Sequence, residues 1–465
     1  MFVTVEKMTT VKYLLFLLAH FFNVVNTLKV GPKVVVIGGG FGGLYSALKT
    51  AEKHPGLDVT LIDNKDKFVF LPLLYELVTG AASSEEVAPS FESLLKDSRV
   101  TFIQGKVNDV NVDTKTISYD PVESSCSPIA SSSSPSSKMA SELEYDQLVV
   151  AVGAQARLEV PGAREFALPF YTVEDAYRLH HKLHSAISNA EIDGRKLVRV
   201  AVVGGGYSGV ETATSVASYL GRTRAVVSLI DRNSRIMTTS PESNREASEK
   251  ALLSFGVSVN SNTDVKEVLP HGVLLEEKDE DFNTRSFVMP ADIVIYTAGM
   301  KQTDLATTCL SKCLESDNYG RIKTKRTFQT LKYPEIFAIG DCASVENSVV
   351  PSTAQVAMQQ SEILSSNLGA RHDFISREGK EPMSRYLEKF TYVPLGEMLT
   401  LGGANAAISS LNDNVKITGP AASTVRRLVY SYRMPTSAQQ FRAFTGTIQT
   451  SLTPFLPGDV GNTND

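Results

Sequence analysis

The feature that most constrains the fold of this chain is a glycine-rich turn that occurs twice. Residues 34–47 read VVVIGGGFGGLYSA, and residues 200–213 read VAVVGGGYSGVETA, 166 positions further on. In each copy a short apolar run leads directly into Gly-x-Gly-x-x-Gly, and a helical pattern follows. Glycines at these positions allow a tight turn, a close backbone approach to a ligand, and close packing of helix on strand. The repeat therefore predicts two strand–turn–helix units in an α/β chain.

Each unit also carries an aspartate at the end of its next predicted strand. The recurring residues are Gly38, Gly40, Gly43 and Asp63 in the first unit, and Gly204, Gly206, Gly209 and Asp231 in the second. A helix N-terminus offers N–H donors to a pyrophosphate, and the carboxylate can accept hydrogen bonds from a ribose diol. Strand, turn, helix and acid together predict two dinucleotide sites. The economical pair is FAD, held permanently, and a nicotinamide dinucleotide that binds and leaves.

Hydride transfer between a nicotinamide and a flavin requires no catalytic side chain, because the step depends on positioning the two rings. The sequence contains no convincing Ser/His/Asp set and no metal-ligand cluster, so we predict neither an acid–base residue nor a metal. His180, His181 and His184 fall on one predicted surface helix and are interpreted as solvated. The four cysteines are scattered and are interpreted as structural.

Charge and hydropathy exclude other classes of protein. The net charge of the 465-residue chain is −5, so no basic excess indicates nucleic acid as a partner. Residues 13–25 are apolar, follow two lysines and are short for a membrane span, which is typical of a signal-peptide core. No later stretch reaches about 18 consecutive apolar residues, so we expect no bilayer-spanning helix after this leader.

The alternation of strand and helix patterns predicts four parts of the chain. They are a leader (1–32), an FAD-binding domain (33–165 and 320–370), an NAD(P)H-binding domain (166–319), and C-terminal strands and amphipathic helices (371–465). A Ser/Pro-rich insert at 121–141 has too few apolar residues to offset its ordering entropy, so it predicts a disordered hairpin loop.

Several further motifs resemble those of type II NAD(P)H:quinone oxidoreductases, also called alternative NAD(P)H dehydrogenases. They are FVFLPLLYELVTG (68–80), TAG (297–299), IGDCA (339–343), AQVAMQQ (354–360) and GPAASTVRRLVYSYRMPT (419–436). The last is closer to the plant and cyanobacterial branch, and the resemblance covers roughly residues 33–450. It implies two Rossmann-like dinucleotide-binding domains. It also implies an enzyme that passes electrons from NADH or NADPH through FAD to a lipid-soluble quinone without pumping protons. A plastoquinone-type quinone is the favoured acceptor.

The resemblance also implies roles for individual residues. For FAD they are Gly38, Gly40, Gly43 and Asp63 at the adenylate end, Pro72 and Leu73 near the flavin ring, and Gly153, Gly340 and Asp341 beside the cofactor. For NAD(P)H they are Gly204, Gly206, Gly209, Asp231 and Gly299, with Glu211 near the nicotinamide. Gln355 and Gln359 are expected at the quinone site, where amide N–H groups would meet the quinone head in an apolar setting.

The choice between NADH and NADPH stays open. The carboxylate of Asp231 favours a ribose 2′-hydroxyl and repels a 2′-phosphate. Arg232 follows immediately, however, and Arg235 comes three residues later, and either guanidinium could pair with a 2′-phosphate.

The tail predicts two amphipathic helices. The apolar positions are Val425, Leu428, Val429 and Tyr432 in the first, and Phe441, Phe444, Ile448, Leu452 and Phe455 in the second. With Arg426, Arg427 and Arg433 alongside, the resemblance implies a membrane-associating segment with its cations near phosphates. A helix pair that covers the core or a dimer interface is the alternative, because periodicity cannot separate them.

The resemblance leads us to expect a peripheral protein on plastid membranes, thylakoid-associated, with the mitochondrial inner membrane as the alternative. Enzymes of this kind are often homodimers, so a homodimer is an open alternative to a monomer.

Three rival functions have sequence requirements of their own. A disulfide reductase needs a cysteine pair beside the flavin, and residues 41–55 contain none. A sulfide:quinone oxidoreductase also needs flavin-side cysteines. Cys342 is near the predicted flavin, but the complete second glycine turn with Asp231 favours a nicotinamide as the electron donor. A low-turnover FAD- and NAD-binding signalling protein would reduce no quinone, and Gln355 and Gln359 argue against it.

Overall fold

The structure is a computed structural model, and its description covers part of the chain. The described residues are 31–122, 140–192, 194, 197–278, 283–410 and 413–452, with side chains as far as residue 448. Nearly all of the predicted leader, most of the predicted insert, and the side chains of Leu452 and Phe455 lie outside these residues.

The described residues form strands throughout the two repeated units and a small sheet near the C-terminus. In chain order they are β1 Lys33–Ile37, β2 Asp58–Asp63, β3 Val100–Asn111, β4 Thr116–Pro121, β5 Ser141–Glu144, β6 Gln147–Val150, β7 Ala154–Ala156, β8 Ala167–Pro169, β9 Val198–Val203, β10 Ala225–Ile230, β11 Ser258–Asn260, β12 Thr263–Leu269, β13 Gly272–Lys278, β14 Thr284–Pro290, β15 Ile293–Tyr296, β16 Met300–Gln302, β17 Ile322–Thr324, β18 Ile336–Ala338, β19 Ala343–Val345, β20 Glu397–Thr400, β21 Ala406–Ser410 and β22 Val415–Gly419.

The α-helices lie between the strands and at the C-terminal end. They are α1 Phe41–Lys53, α2 Leu74–Thr79, α3 Ser84–Val87, α4 Phe91–Leu95, α5 Ala163–Phe166, α6 Val173–Ile192, α7 Tyr207–Leu220, α8 Glu242–Phe255, α9 Ala354–Glu378, α10 Pro420–Tyr432 and α11 Ser437–Leu452. The helical patterns after the two turns predict starts at Leu44 and Val210. Both helices begin three residues earlier, because the last glycine of each turn lies inside the helix.

The first unit is built on a seven-stranded sheet in the order β18–β6–β1–β2–β3–β4–β5. The strands from β18 to β3 run parallel, and β4 and β5 are added antiparallel at the edge. Ile37, at the end of β1, lies beside Ile62 on one side and Val150 on the other. Because these central strands are covered on both faces, their sequences are continuous apolar runs.

The second unit repeats this arrangement with a parallel sheet in the order β11–β10–β9–β15–β8. Val203, at the end of β9, lies beside Ile230 and Tyr296. The predicted α/β architecture with two repeated units is therefore confirmed. An antiparallel pair, β7 with β16, joins segments that leave the two sheets, since β7 follows β6 and β16 follows β15.

Two strand predictions need correction. The pattern of residues 142–153, ELEYDQLVVAVG, predicts one strand, but this segment contributes to β5 at the sheet edge and to β6 beside β1. The break lies at Tyr145 and Asp146, whose backbone N–H groups donate to the carbonyls of Lys115 and Lys33 respectively. The pattern of residues 391–396, TYVPLG, also predicts a strand. This segment belongs to no sheet, because side-chain amides of α9 bind its backbone instead.

The C-terminal part contacts both units. Strands β20, β21 and β22 form an antiparallel sheet, and β20 packs against α7 of the second unit. Helix α9 packs along α1 of the first unit, and α10 packs against α11. We call α10 and α11 the C-terminal helix pair. No helix in the described part of the chain is both long enough and apolar enough to cross a bilayer.

Candidate functional site

The two glycine turns have the same backbone geometry. Gly38 and Gly204 have φ values of +100° and +106°, which side chains rarely adopt. A Cβ at Gly43 would lie 1.7 Å from the carbonyl oxygen of Gly38, and a Cβ at Gly209 would lie 1.7 Å from that of Gly204. The first and third glycines of each turn are therefore required by the fold itself.

The middle glycines differ, because nothing lies within 4 Å of a Cβ placed at Gly40 or Gly206. Each is the N-cap residue of its helix, and neither helix has a side-chain cap for its first N–H groups. An open space before uncapped N–H donors suits the pyrophosphate of a dinucleotide. The residues present at each turn therefore fit the pyrophosphate of a dinucleotide such as FAD or NAD(P)H.

The two aspartates brace the turns that they follow. Asp63 accepts hydrogen bonds from the backbone N–H of Gly39 at 2.5 Å and of Lys65 at 2.8 Å. Asp231 accepts from Gly205 at 2.5 Å and from Asn233 at 2.7 Å. Burial raises the pKa of Asp63, although these N–H groups oppose the shift. This bracing role is an addition to the ribose role that the sequence predicts.

Two further predicted glycines lie directly beyond the central strands. Gly153 follows β6 with φ +61°, and Gly299 follows β15 with φ +90°. In a parallel sheet these strand ends lie at the same edge as the glycine turns. The structure thus brings Gly153 to the first turn and Gly299 to the second.

Gly340 and Asp341 lie in a 3₁₀ turn over Gly340–Cys342. The backbone N–H of Gly340 donates to the side-chain oxygen of Gln360 at 2.7 Å, and Gln360 is almost wholly buried. Burial raises the pKa of Asp341, against a hydrogen bond from Ser352. Sequence reasoning named Gln355 and Gln359 but missed Gln360, the next residue of the same motif, which holds this turn in place.

The amides of Gln355 and Gln359 bind residues 392–396, which we call the Gln-bound segment. Gln359 donates to the carbonyl of Val393 at 2.8 Å and accepts from its N–H at 3.1 Å. Gln355 accepts from the hydroxyl of Tyr392 at 2.7 Å and donates to Gly396 at 3.3 Å. The two glutamines therefore hold this segment against α9.

Glu211 lies in α7, two residues after Gly209. Its carboxylate accepts a hydrogen bond from the backbone N–H of Thr400 at 2.9 Å and is hydrogen-bonded to the hydroxyl of Tyr75. Burial raises the pKa of Glu211 to about 7. Such a carboxyl group changes charge near neutral pH, which sequence reasoning did not anticipate.

The two arginines after Asp231 are in different situations. Arg235 forms ion pairs with Glu242 at 2.9 Å and Glu249 at 3.3 Å. Arg232 is exposed at the end of β10. Of the two guanidinium groups, that of Arg232 is therefore the better placed for a 2′-phosphate.

Pro72 and Leu73 lie in a 3₁₀ turn over Leu71–Leu73 that leads into α2. Leu73 is buried, and the carbonyl of Pro72 faces the guanidinium of Arg426 at 3.5 Å. The prediction that Arg426 and Arg427 face lipid phosphates is wrong, because both side chains are buried and pair with Glu76. The periodicity of α10 cannot reveal this partner, which lies some 350 residues away in the sequence.

The apolar positions of the C-terminal helix pair are nevertheless largely on the surface. The exposed side chains are Val425, Leu428, Tyr432, Phe441, Phe444 and Ile448. Tyr432 is 80% exposed and Phe441 is 70% exposed, so these side chains contribute little to the core of this chain.

The histidines and cysteines provide no second centre in the described part of the chain. No group of three His, Cys, Asp or Glu side chains there could hold a metal. His180 and His184 are half-buried and hydrogen-bonded to the carbonyl of Val78 and to Tyr219, so only His181 of the three matches the solvated interpretation. Burial raises the pKa of the Cys342 thiol to about 12, which disfavours a reactive thiolate beside Gly340 and Asp341.

Comparison with known proteins agrees with this geometry. The model of the pyridine nucleotide-disulphide oxidoreductase family matches residues 32–361. The chain is 36% identical over 417 residues to demethylphylloquinone reductase NdbB from Synechocystis sp., which covers 88% of this chain and 94% of the relative. It is 34% identical over 431 residues to alternative NAD(P)H-ubiquinone oxidoreductase C1, chloroplastic/mitochondrial, from Arabidopsis thaliana, which covers 88% and 79%.

Solved structures match in fold. NDH2 from Plasmodium falciparum in complex with NADH has a TM-score of 0.76 at 18% identity, with 90% of this chain and 98% of that chain covered. The sulfide:quinone oxidoreductase from Aquifex aeolicus has a TM-score of 0.69 at 20% identity, with 91% and 94% covered.

The chain therefore belongs to the pyridine nucleotide-disulphide oxidoreductase family. Within it, the relatives identify an enzyme of the type II NAD(P)H:quinone oxidoreductase group, as the sequence motifs predict.

Proposed function

We propose that the enzyme is an FAD-dependent, non-proton-pumping NAD(P)H:quinone oxidoreductase of a membrane surface, with a lipid-tailed quinone as acceptor. The observation that carries this proposal is the pair of equivalent turns, each with an open space before an uncapped helix N-terminus. Gly40 and Gly206 would hold the two dinucleotides, and a bound flavin would supply the redox chemistry: a hydride from NAD(P)H and a proton from solvent would together provide the two electrons and two protons that convert the quinone to a quinol.

In this proposal the protein residues hold and orient FAD and NAD(P)H and take no part in the bond changes. Gly40 and Asp63 hold the FAD adenylate end, and the turn at Gly340 and Asp341 supports the same cofactor. Gly206 and Asp231 hold NAD(P)H. In each site, backbone N–H donors hold the pyrophosphate and a carboxylate holds the ribose.

The quinone head is assigned to Gln355 and Gln359. Each amide NH₂ group has two N–H donors, and one of each binds a carbonyl of the Gln-bound segment. The second N–H of each is the proposed donor to a quinone carbonyl.

The acceptor that we favour is a plastoquinone-type benzoquinone. A demethylated naphthoquinone is the second candidate, because a relative that is 36% identical is named as a demethylphylloquinone reductase. The two acceptors share a redox-active dione and differ in ring size and substituents, so relative kcat/KM values distinguish them.

The direct test is anaerobic stopped-flow spectroscopy at the flavin absorbance band. The purified enzyme is mixed with NADH or NADPH, and then with a short-tailed benzoquinone or naphthoquinone. We expect bleaching by the nucleotide and recovery with the quinone. Bleaching without recovery would favour a low-turnover signalling protein, and no bleaching in protein that contains FAD would contradict the second site.

Membrane association is assigned to the exposed apolar side chains of the C-terminal helix pair. Burying such side chains at a lipid interface is favourable, and their neighbours Arg426 and Arg427 already bind Glu76. The proposed location is the surface of a plastid membrane, in line with the chloroplastic/mitochondrial relative.

This assignment predicts that Leu428→Glu with Phe441→Glu releases the enzyme from liposomes while NAD(P)H oxidation with a water-soluble quinone persists. A flotation assay measures the bound fraction. The control is Ile192→Glu, which places one such charge at an exposed apolar residue of α6. Unchanged flotation of the double variant would place the membrane contact elsewhere.

A further inference from the structure

Helix α10 has two faces with different partners. Leu428 and Tyr432 are exposed on one face. On the other, Arg426, Arg427 and Tyr430 are buried against the first unit, and Arg426 is only 1% exposed. A helix that carries the exposed apolar surface thus also inserts two arginines into the interior.

The inserted arginines share one carboxylate. One oxygen of Glu76 accepts from Arg426, and the other accepts from Arg427. We call these three residues the Glu76 cluster. Arg427 also donates to the carbonyl of Ala81 at 2.8 Å, and the guanidinium of Arg426 faces the carbonyl of Pro72 at 3.5 Å. The cluster therefore ties α10 to the segment that leads from the Pro72 turn through α2.

Tyr430 extends this connection to β20, which follows the Gln-bound segment. The guanidinium of Arg426 lies over its ring at 5.3 Å, and the ring packs edge-on against Phe70 at 5.5 Å. The hydroxyl of Tyr430 donates to the carbonyl of Met398 at 3.4 Å, in β20 directly after the Gln-bound segment. Arg426 and Tyr430 thus lie between the Pro72 turn and the end of the segment that Gln355 and Gln359 hold.

Stability alone is a poor explanation for this cluster. Burying charged groups costs free energy, and well-packed apolar residues often stabilise a core equally well or better. In addition, the Nε–H of Arg426 is buried with no hydrogen-bond partner among the described residues, which is a further cost. What the Glu76 cluster adds is a fixed distance between α10 and the Pro72 turn.

We propose that Arg426 is a positioning residue for the quinone half-reaction. Together with Glu76 it fixes the Pro72 turn relative to α10 and the Gln-bound segment, and so sets the space that the quinone head enters. The inference rests on the proposed function. It requires that loosening the cluster slows flavin reoxidation by quinone and spares flavin reduction by NAD(P)H, whose proposed turn lies in the second unit.

The test uses two variants of the full-length holoenzyme. The double variant E76Q/R426M removes one charge of each sign. It leaves Arg427, whose positive charge favours the ionised form of Glu86. The second variant, R426K, keeps the charge but loses the planar fork that reaches two acceptors. The matched control is R442M, which removes an arginine from the same helix pair where it forms an exposed ion pair with Glu85.

Anaerobic stopped-flow measures both half-reactions, and flavin absorbance measures FAD content. We expect E76Q/R426M to retain FAD and to be reduced within about twofold of the wild-type rate, while kcat/KM for the quinone falls at least about tenfold. R426K should be intermediate and R442M unchanged. Wild-type reoxidation in E76Q/R426M, an equal fall in both half-reactions, or loss of FAD in both cluster variants would overturn the inference. A wild-type enzyme that no quinone reoxidises would instead remove the proposed function itself.

Discussion

The second glycine of each turn faces a different kind of side chain, an aromatic ring in the first unit and a carboxylate in the second. A Cβ at Gly39 would lie 2.2 Å from the ring of Phe91, and Phe41, the first residue of α1, packs edge-on against Phe68 at 5.1 Å. A Cβ at Gly205 would instead lie 2.2 Å from the carboxylate of Asp231. Equivalent backbones thus have neighbouring side chains of different polarity.

The fifth residue of each following helix extends the comparison. Tyr45 in α1 and Glu211 in α7 occupy equivalent positions, and both connect their helix to the C-terminal part. Tyr45 donates to the carbonyl of Arg433, whereas Glu211 accepts from the N–H of Thr400. The C-terminal part therefore contacts both units at the same helical position, with a neutral phenol in one unit and a titratable carboxyl group in the other.

The largest expected effect comes from the same substitution in both turns. Gly40→Val and Gly206→Val are compatible with the extended backbone, but each side chain fills the space before its helix N-terminus. We expect Gly40→Val to be purified without FAD. Gly206→Val should keep FAD and lose NAD(P)H-driven flavin reduction by about 100-fold or more. Flavin absorbance and stopped-flow rates measure the two effects, and loss of FAD in both variants would break the two-site assignment.

A smaller effect distinguishes Tyr45 from Glu211 through pH. Burial raises the pKa of Glu211 from 4.5 to about 7, so the folded state binds this proton more tightly than the unfolded state. The stability contribution is complete below pH 4.5 and is lost as the pH rises through 7. As the pH rises from 5 to 8, the free energy of unfolding of Glu211→Gln should therefore increase relative to that of the wild type, by about 3 kcal/mol at most.

The matched control for this effect is Tyr45→Phe. It removes one hydrogen bond, so it should cost about 1 kcal/mol at every pH in this range. Urea unfolding at several pH values measures both variants. A pH-independent difference between Glu211→Gln and the wild type would contradict the raised pKa.

The smallest effect concerns nucleotide choice. Arg232→Asn gives the second unit the residue that follows Asp63 in the first unit, which is Asn64. We expect kcat/KM for NADPH to fall about tenfold, or about 1.4 kcal/mol, and kcat/KM for NADH to change little. Arg235→Gln is the control, because that guanidinium is already paired with Glu242 and Glu249. An equal fall with both nucleotides would remove Arg232 from 2′-phosphate recognition.

Local sequence predicts the two turns well because their requirements are local. Gly38 has a positive φ, and a Cβ added at Gly43 would lie only 1.7 Å from the oxygen of Gly38, so both requirements involve residues a few positions apart. The same holds for β1 and β2, whose continuous apolar runs follow from burial on both faces. Residue types at fixed spacing therefore specify the α/β class, the repeat and the positions of the dinucleotide turns.

Long-range partners are beyond this kind of reasoning. The pattern of α10 separates apolar from charged positions, but it does not reveal that Arg426 and Arg427 meet Glu76 in the interior. Likewise, polar Gln355 and Gln359 were expected beside a quinone, and the tertiary structure adds that their amides hold the Gln-bound segment.

The sequence by itself thus determined where the two glycine turns form, because a glycine turn and its aspartate are selected by backbone sterics within one unit. The tertiary structure alone decided which charges are buried and which apolar side chains reach the surface. Burial depends on the segments that fold against a helix from elsewhere in the chain. For Arg426 that segment carries Pro72 and Glu76, and no spacing within α10 encodes it.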